Sequence, residues 1–207
     1  MTKDVSVCIL DYGSGNVRSV ENIISYLGYD AYVSNDKGRI REASHLILPG
    51  VGAFGSAIKQ IHEKIPIMTL EESVFGQKKP FLGICVGMQV LSDIGYEHGQ
   101  YSGLGWIPGE VMRIDSNSLP LPHMGWNDVD VIIEGPLFNG LGEDRNFYFV
   151  HSYAFVPKSS EVVSSQVDYG SSFCSSIQSG NIFGVQFHPE KSQKAGQLIF
   201  QNFLSLI

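Results

Sequence analysis

Cys85 stands in Gly83-Ile84-Cys85-Val86-Gly87, directly after the apolar run PFLGI and at the head of CVGMQVLSDIG, whose pattern predicts a helix. This is the G-x-nucleophile-x-G elbow, in which a strand turns sharply into a helix and lifts a reactive side chain to the strand's carboxyl end. The flanking glycines are expected to clear space for that turn. The first N–H groups of the helix and the positive end of its dipole favour a thiolate, and the Val86 N–H is placed where an oxyanion can form. A thiolate that cleaves an amide also needs an acid and base. Among six histidines the best placed is His188 in FGVQFHPEKS, at the end of a strand-like run. Pro189 presses His188 toward extended backbone, and residues i and i+2 of an extended segment project to one side, so Glu190 can accept a hydrogen bond from the His188 ring. A Cys-His-Glu triad holds the imidazole in one tautomer and supports its charged form. A lower thiol pKa alone gains little, because nucleophilicity falls with it. The larger contribution is protonation of the leaving nitrogen, worth roughly 10² to 10⁴. The constellation suits cleavage of a carboxamide.

A second oxyanion donor is expected in LPGVGAFG, residues 48–55. Gly50-x-Gly52-x-x-Gly55 also fits a dinucleotide fingerprint, with Glu71 and Glu72 about twenty residues on. Against that reading, the run is not the first strand-to-helix turn, Pro49 stiffens its entry, and both acids fall in a helix-like segment rather than at a strand tip. Glycines that bring backbone N–H groups close to an oxyanion meet the same geometric demand.

The elements that must carry these groups alternate. VSVCIL (5–10) reads as a strand ended by DYGSGN; Val17, Val20, Ile24 and Leu27 then recur on one helical face, and Gly28 stops that helix. DAYVS, HLILP and PFLGI repeat the strand signal, and SAIKQIHEK and IMTLEESVFG the helical one, which implies βαβ units and a parallel sheet. From about residue 110 the texture changes to EVMRID, VDVIIEG, FYFVHSYAFV, EVVSSQV, SFCSSIQ and IFGVQFHPE, strand-like stretches joined by polar turns. A closing helix follows, with Leu198, Ile199, Phe203 and Leu206 on one stripe. The expected architecture is a three-layer α/β/α sandwich, with a mostly parallel central sheet and added antiparallel strands, in one domain spanning 1–207. With 43% hydrophobic residues the chain can bury a full core. A net charge of -7 without a basic stripe argues against nucleic acid. No stretch approaches about 18 unbroken apolar residues, so no membrane span is expected, and the opening apolar run is too short for a leader. The three cysteines form no CxxC pair; Cys8 and Cys174 read as buried, reduced thiols in a cytoplasmic protein, with no metal site and no cofactor.

PGVGAFG, GICVGMQ and FGVQFHPEKS, in that order and spacing, resemble the class I (triad-type) glutamine amidotransferases, and PHMGWN with FYFVHSY narrows the resemblance to the glutaminase subunits of imidazole glycerol phosphate synthase. The resemblance covers nearly the whole chain. It implies a flavodoxin-like core, Cys85 as nucleophile, His188 as acid and base, Glu190 as its orienter, and an oxyanion site at Val86 and the Val51-Gly52 peptides. It implies that L-glutamine is held near Gly52, Gln89, Glu97, His151, Ser152 and Tyr153. Gln89 lies one turn beyond Cys85 on the same helix face, and Glu97 can pair with an α-ammonium. It implies a heterodimer with a (β/α)8 barrel cyclase in histidine biosynthesis, with Tyr12, Ser14, Asn16, Met124, Trp126, Asn127 and Lys191 toward that partner. Val86 stands where leucine is usual, and no basic residue precedes PHMGWN closely. Two other readings accompany the first: a glutaminase feeding a surface-sugar amidotransferase, and a non-catalytic interaction subunit, against which the intact triad argues.

Overall fold

The computed structural model describes residues 5–206; residues 1–4, the start of the stretch read for a leader, and residue 207 lie outside the described residues. The first half alternates β1 (Ser6–Ile9), α1 (Val17–Tyr26), β2 (Asp30–Val33), α2 (Lys37–Glu42), β3 (His45–Gly50), α3 (Phe54–Lys64), α4 (Ile67–Glu71), β4 (Phe81–Cys85) and α5 (Val86–Gln89). Val20 and Ile24 are the buried face of α1, and Gly28, with φ of 88°, supplies the left-handed turn beyond it. The second half adds β5 (Ile94–Gly95), β6 (Tyr101–Ser102), β7 (Gly109–Arg113), β8 (His123–Asp128), β9 (Asp130–Val131), β10 (Asn146–His151), β11 (Tyr153–Pro157), β12 (Val163–Tyr169), β13 (Ser171–Ser179), β14 (Ile182–Val185) and the closing α6 (Gln193–Leu204).

Eight strands form the main sheet in the order β2-β1-β3-β4-β14-β13-β12-β9. β2, β1, β3, β4 and β14 run parallel, and β13, β12 and β9 continue antiparallel. The chain steps from β1 outward to β2, then back across β1 to β3 and on to β4. Right-handed crossovers with that reversal put α1 on one face and α3 with α4 on the other, so the sheet is the middle layer of a three-layer α/β/α sandwich. Every residue of β3 and β4 is buried, as strands covered on both faces require. Two smaller sheets, β11-β7-β5-β6 and β10-β8, lie beside it.

Several elements differ from expectation. The helix after Cys85 is only Val86–Gln89: Leu91 N and Ser92 N bond back to Met88 O and Gln89 O, a tightened last turn, and the chain passes into β5. FYFVHSYAFV is two strands, cut at Ser152, because β10 pairs with β8 while β11 pairs with β7. VDVIIEG contributes only Asp130–Val131, and the strand formed by PHMGWN carried no strand expectation. α2, with Ile40 its one buried residue, escaped detection, although Asp36 caps it by accepting from Arg39 N at 3.0 Å. In α6 the fully buried stripe is Ala195, Ile199, Phe200, Phe203 and Leu204, while Leu198 and Leu206 are only partly covered.

Candidate active site

Cys85 closes β4 with φ of 55° and ψ of −113°, a backbone state that side-chain-bearing residues rarely adopt. The two glycines of the elbow permit it. A Cβ on Gly83 would lie 2.5 Å from Gly87 O, and one on Gly87 would overlap the Leu48 carbonyl of β3. The parallel register sets Gly50 beside Cys85, so the loop at 51–53 leaves β3 next to the nucleophile. Ser14 Oγ donates to Val51 O at 2.6 Å, which turns the N–H of the same trans peptide, that of Gly52, away from Ser14.

His188 enters from the far side of β4. β14 runs parallel to it with Val185 opposite Ile84, and the chain bends at Gln186 and Phe187 into an extended His188, whose N is bonded to Tyr148 O at 2.9 Å. The ring Nδ1 lies 2.8 Å from Glu190 Oε1, and both side chains are about 1% exposed. Nε2 is buried without a hydrogen-bond partner by distance and angle, free to serve a reacting atom. Burial disfavours the imidazolium, but the charge and sulfur of Cys85 and the bond and charge of Glu190 outweigh it and push the His188 pKa up to about 10. Cys8 and Cys174 behave oppositely: burial pushes each thiol up to about 12, so neither is a nucleophile near neutral pH.

One cavity of about 180 Å³ is lined by Val51, Gly52, Cys85, Val86, Gln89, Glu97, His151, Ser152, Tyr153 and His188, with Val150 the one member not expected from sequence. The size suits a single small amino acid rather than a drug-sized ligand. Gln89 is buried, and its Nε2 donates to Tyr153 O at 2.8 Å and Gln186 Oε1 at 2.9 Å, which leaves its own Oε1 as an acceptor. Glu97 follows β5 in a loop, and its Oε2 accepts from Phe54 N at the head of α3, at 2.8 Å. His151 Nδ1 lies 2.9 Å from Tyr153 O and its Nε2 lies 3.2 Å from His123 Nδ1; burial holds its pKa down to about 3. It is therefore a neutral wall of the cavity and no second base.

The residues expected toward a partner divide. Met124 (65% exposed) and Trp126 (46% exposed) stand out on β8. Trp126 meets the Tyr148 ring edge-on at 6.1 Å, and the exposed Lys191 brings its Nζ within 5.4 Å of the same ring. Tyr12 is a correction: it is 0% exposed, packed behind Gly50, because the turn after β1 folds inward there. Asn16 is turned to the triad, its Nδ2 3.2 Å from Glu190 Oε1, and Asn127 donates inward to His123 Nε2 at 3.2 Å and to Asp168 O at 2.9 Å. Ser14 is half-buried against Val51. Sequence reasoning missed three contributors: Asn16 as a tether of Glu190, His123 as the partner of His151, and Gln186, whose Nε2 lies 3.5 Å from Cys85 Sγ. Gln186 was legible as the one polar side chain in the apolar run that leads into His188.

A strained cysteine at the carboxyl end of a parallel strand, sharing a small cavity with a carboxylate-held histidine, defines a thiol-dependent acyl-transfer enzyme. The chain matches the family Glutamine amidotransferase class-I over residues 8–206 and belongs to that family. Among its relatives is "Imidazole glycerol phosphate synthase subunit HisH" of Pelagibacter ubique (strain HTCC1062), 43% identical over 98% of this chain and 100% of the relative. The protein of the same name from Moorella thermoacetica (strain ATCC 39073 / JCM 9320) is 45% identical over 97% of this chain and 95% of its own. The fold recurs in a chain of PurLQS from Thermotoga maritima, with a TM-score of 0.74, 20% identity and coverage of 97% and 98% of the two chains. Among the described residues no helix is long and apolar enough to cross a membrane.

Proposed function

We propose that the chain is a single glutaminase domain that hydrolyses L-glutamine and delivers the ammonia to a (β/α)8 barrel cyclase as its heterodimeric, cytoplasmic partner, for imidazole glycerol phosphate synthesis. The observation that carries the chemistry is the shared cavity, into which Cys85, His188, Val86 and the 51–52 peptide all open. The Cys85 thiolate attacks the carboxamide carbon, and the oxygen takes up negative charge facing the Val86 N–H and the Gly52 peptide. His188 Nε2 gives its proton to the leaving nitrogen, the C–N bond breaks, ammonia departs and a thioester remains. Water then attacks, His188 Nε2 takes its proton, the C–S bond breaks with its electron pair on sulfur, and glutamate leaves. Glu190 and Asn16 keep the ring in the tautomer that this sequence needs. Gln89 Oε1 and the Glu97 carboxylate are the acceptors for the substrate's N–H groups. The cyclase assignment draws support from the names of the relatives and from the exposed Met124, Trp126 and Lys191, an aromatic and cationic patch of the kind that anchors interfaces.

The test is ammonia release at saturating glutamine for the chain alone, with the barrel subunit, and with the barrel subunit plus its nucleotide ligand. A rise of at least about tenfold in kcat with both present is expected, because an exposed loop at 51–52 can be held productively by a docked partner. Cys85→Ala is expected to abolish release while leaving assembly intact. A lone subunit already at full rate would overturn the coupling, and an active Cys85→Ala would overturn the chemistry.

A further inference from the structure

His188 is not the only group that the end of β14 aims at the nucleophile. Val185 lies opposite Ile84 in the parallel register, so the next residue, Gln186, stands level with Cys85. The chain bends at Gln186 and Phe187, and the Gln186 amide and the His188 ring nevertheless both come to Cys85. Gln186 is 0% exposed, its backbone N bonds to Ser175 O at 2.8 Å, and its Nε2 lies 3.5 Å from Cys85 Sγ. Its amide cannot be turned the other way. Tyr153 O is an acceptor only, so the Gln89 atom 2.8 Å from it is Nε2; that nitrogen also donates to Gln186, 2.9 Å away, which must therefore present its Oε1 there and its N–H group to the sulfur. A chain of buried hydrogen bonds anchored on a backbone carbonyl thus ends at the thiol.

We propose that Gln186 is a further catalytic residue, a fixed neutral donor that holds Cys85 Sγ toward the cavity and stabilises the sulfur anion beside His188. The proposal rests on the glutaminase reading for its substrate and on geometry alone for the thiolate. Two moments of the reaction need such a donor. Before and during attack the sulfur carries the charge, while the one Nε2 proton of His188 is committed to the leaving nitrogen. When the thioester is hydrolysed, the electron pair of the breaking C–S bond returns to sulfur, which becomes an anion again. A donor that cannot give its proton away serves at both points, and hydrogen bonds to a charged acceptor are about twice as strong as neutral ones.

The titratable groups facing Cys85 are His188 and, behind it, Glu190 after β14, Tyr12 after β1, His151 at the end of β10, Tyr153 at the start of β11 and Glu97 across the cavity after β5. Gln186→Met changes none of their charges and nearly preserves volume, so a change in thiol behaviour in that variant belongs to the lost donor. The experiment measures iodoacetamide alkylation of Cys85 by peptide mass spectrometry between about pH 6 and 9, where Cys8 and Cys174 stay unreactive. The parallel measurement is kcat and KM for glutamine in the chain with its partner. Gln186→Met should move the alkylation midpoint up by about one pH unit and lower kcat by about 10- to 100-fold with KM within about threefold. Gln186→Glu, which keeps the acceptor for Gln89 but has no donor when ionised, should do at least as much; it also decides the matter if Gln186→Met does not fold. An alkylation profile identical to the unsubstituted chain would overturn the proposal. So would a rise in KM at unchanged kcat, which would assign Gln186 to supporting Gln89 alone. Because alkylation needs no glutamine, a shifted profile in a chain that hydrolyses none would refute the glutaminase reading and leave Gln186 in place.

Discussion

His188 is where opposing effects on one residue are largest. Burial favours the neutral ring, while the sulfur of Cys85 and the carboxylate of Glu190 favour the charged one and prevail, holding its pKa at about 10. A histidine raised in the folded state adds stability that is fully present below its ordinary pKa of about 6.5 and is lost as pH rises through the raised value. The stability from His188 is therefore retained at neutral pH and fades toward pH 10. Among the groups that raise this pKa, Cys85 is the first. Removing it leaves burial opposed by Glu190 alone, so Cys85→Ala is expected to lower the His188 titration midpoint by at least about one pH unit. Ring ¹⁵N shifts in the two proteins measure it; an unchanged midpoint would mean that no ion pair forms. At this scale much was legible beforehand. The HPE spacing announced the 2.8 Å contact between His188 and Glu190, whereas Asn16, 174 residues from Glu190 in sequence, could not be placed beside it by any local pattern.

The strand-to-helix elbow shows why an element can be read from sequence and its neighbours cannot. Gly83 and Gly87 carried the signal because a Cβ at either position meets backbone at sub-van der Waals distance, and the parallel strands β1, β3 and β4 were visible as bounded apolar runs. What ended α5 after Gln89 was tertiary: Trp106 N and Ile107 N both bond to Leu91 O, so the chain beyond the elbow is claimed by a later segment. The same holds at Ser152, where FYFVHSYAFV reads as one strand-like run but the pairing partner switches from β8 to β7, and that switch sets His151, Ser152 and Tyr153 around the cavity. Alternation records which face is buried and not which strand is adjacent. Gly87→Ala tests the elbow as a unit. The added methyl overlaps the Leu48 carbonyl, so α5 must move off β3 and carry the Val86 N–H with it. We expect kcat to fall at least about 100-fold, the loss of one oxyanion donor, and stability to fall by about 1 to 3 kcal/mol through strain. Denaturant unfolding and glutamine turnover check both, and a variant with near-normal turnover would show that the elbow tolerates a side chain there.

Across the whole molecule, the β10-β8 ribbon docks onto the main sheet through a buried imidazole. His123 stacks on Phe149 at 4.8 Å and on Tyr169 of β12 at 4.2 Å, and its Nε2 accepts from Asn127 while its Nδ1–H donates to His151. Asn127 Nδ2 can only donate, so both rings must be neutral for this chain of bonds to exist. Burial lowers the His123 pKa to about 4 and that of His151 to about 3. The sign is opposite to that of His188. Below about pH 6.5 the unfolded chain takes up protons that the folded chain refuses, so stability falls as pH falls. For one imidazole lowered to about 4, the loss between pH 7.5 and 5 is about 2 kcal/mol. His123→Gln keeps a polar, uncharged group at the ribbon junction and removes that titration. It should be less stable than the unsubstituted protein at pH 7.5, by about 1 to 3 kcal/mol for the lost stacking, and should close most of that gap at pH 5. Urea unfolding at the two pH values measures the gap directly. Carboxylates titrate alike in both proteins and cancel, so a gap of the same size at both values would mean that His123 is protonated in the folded state and that the ribbon is not held by a neutral histidine pair.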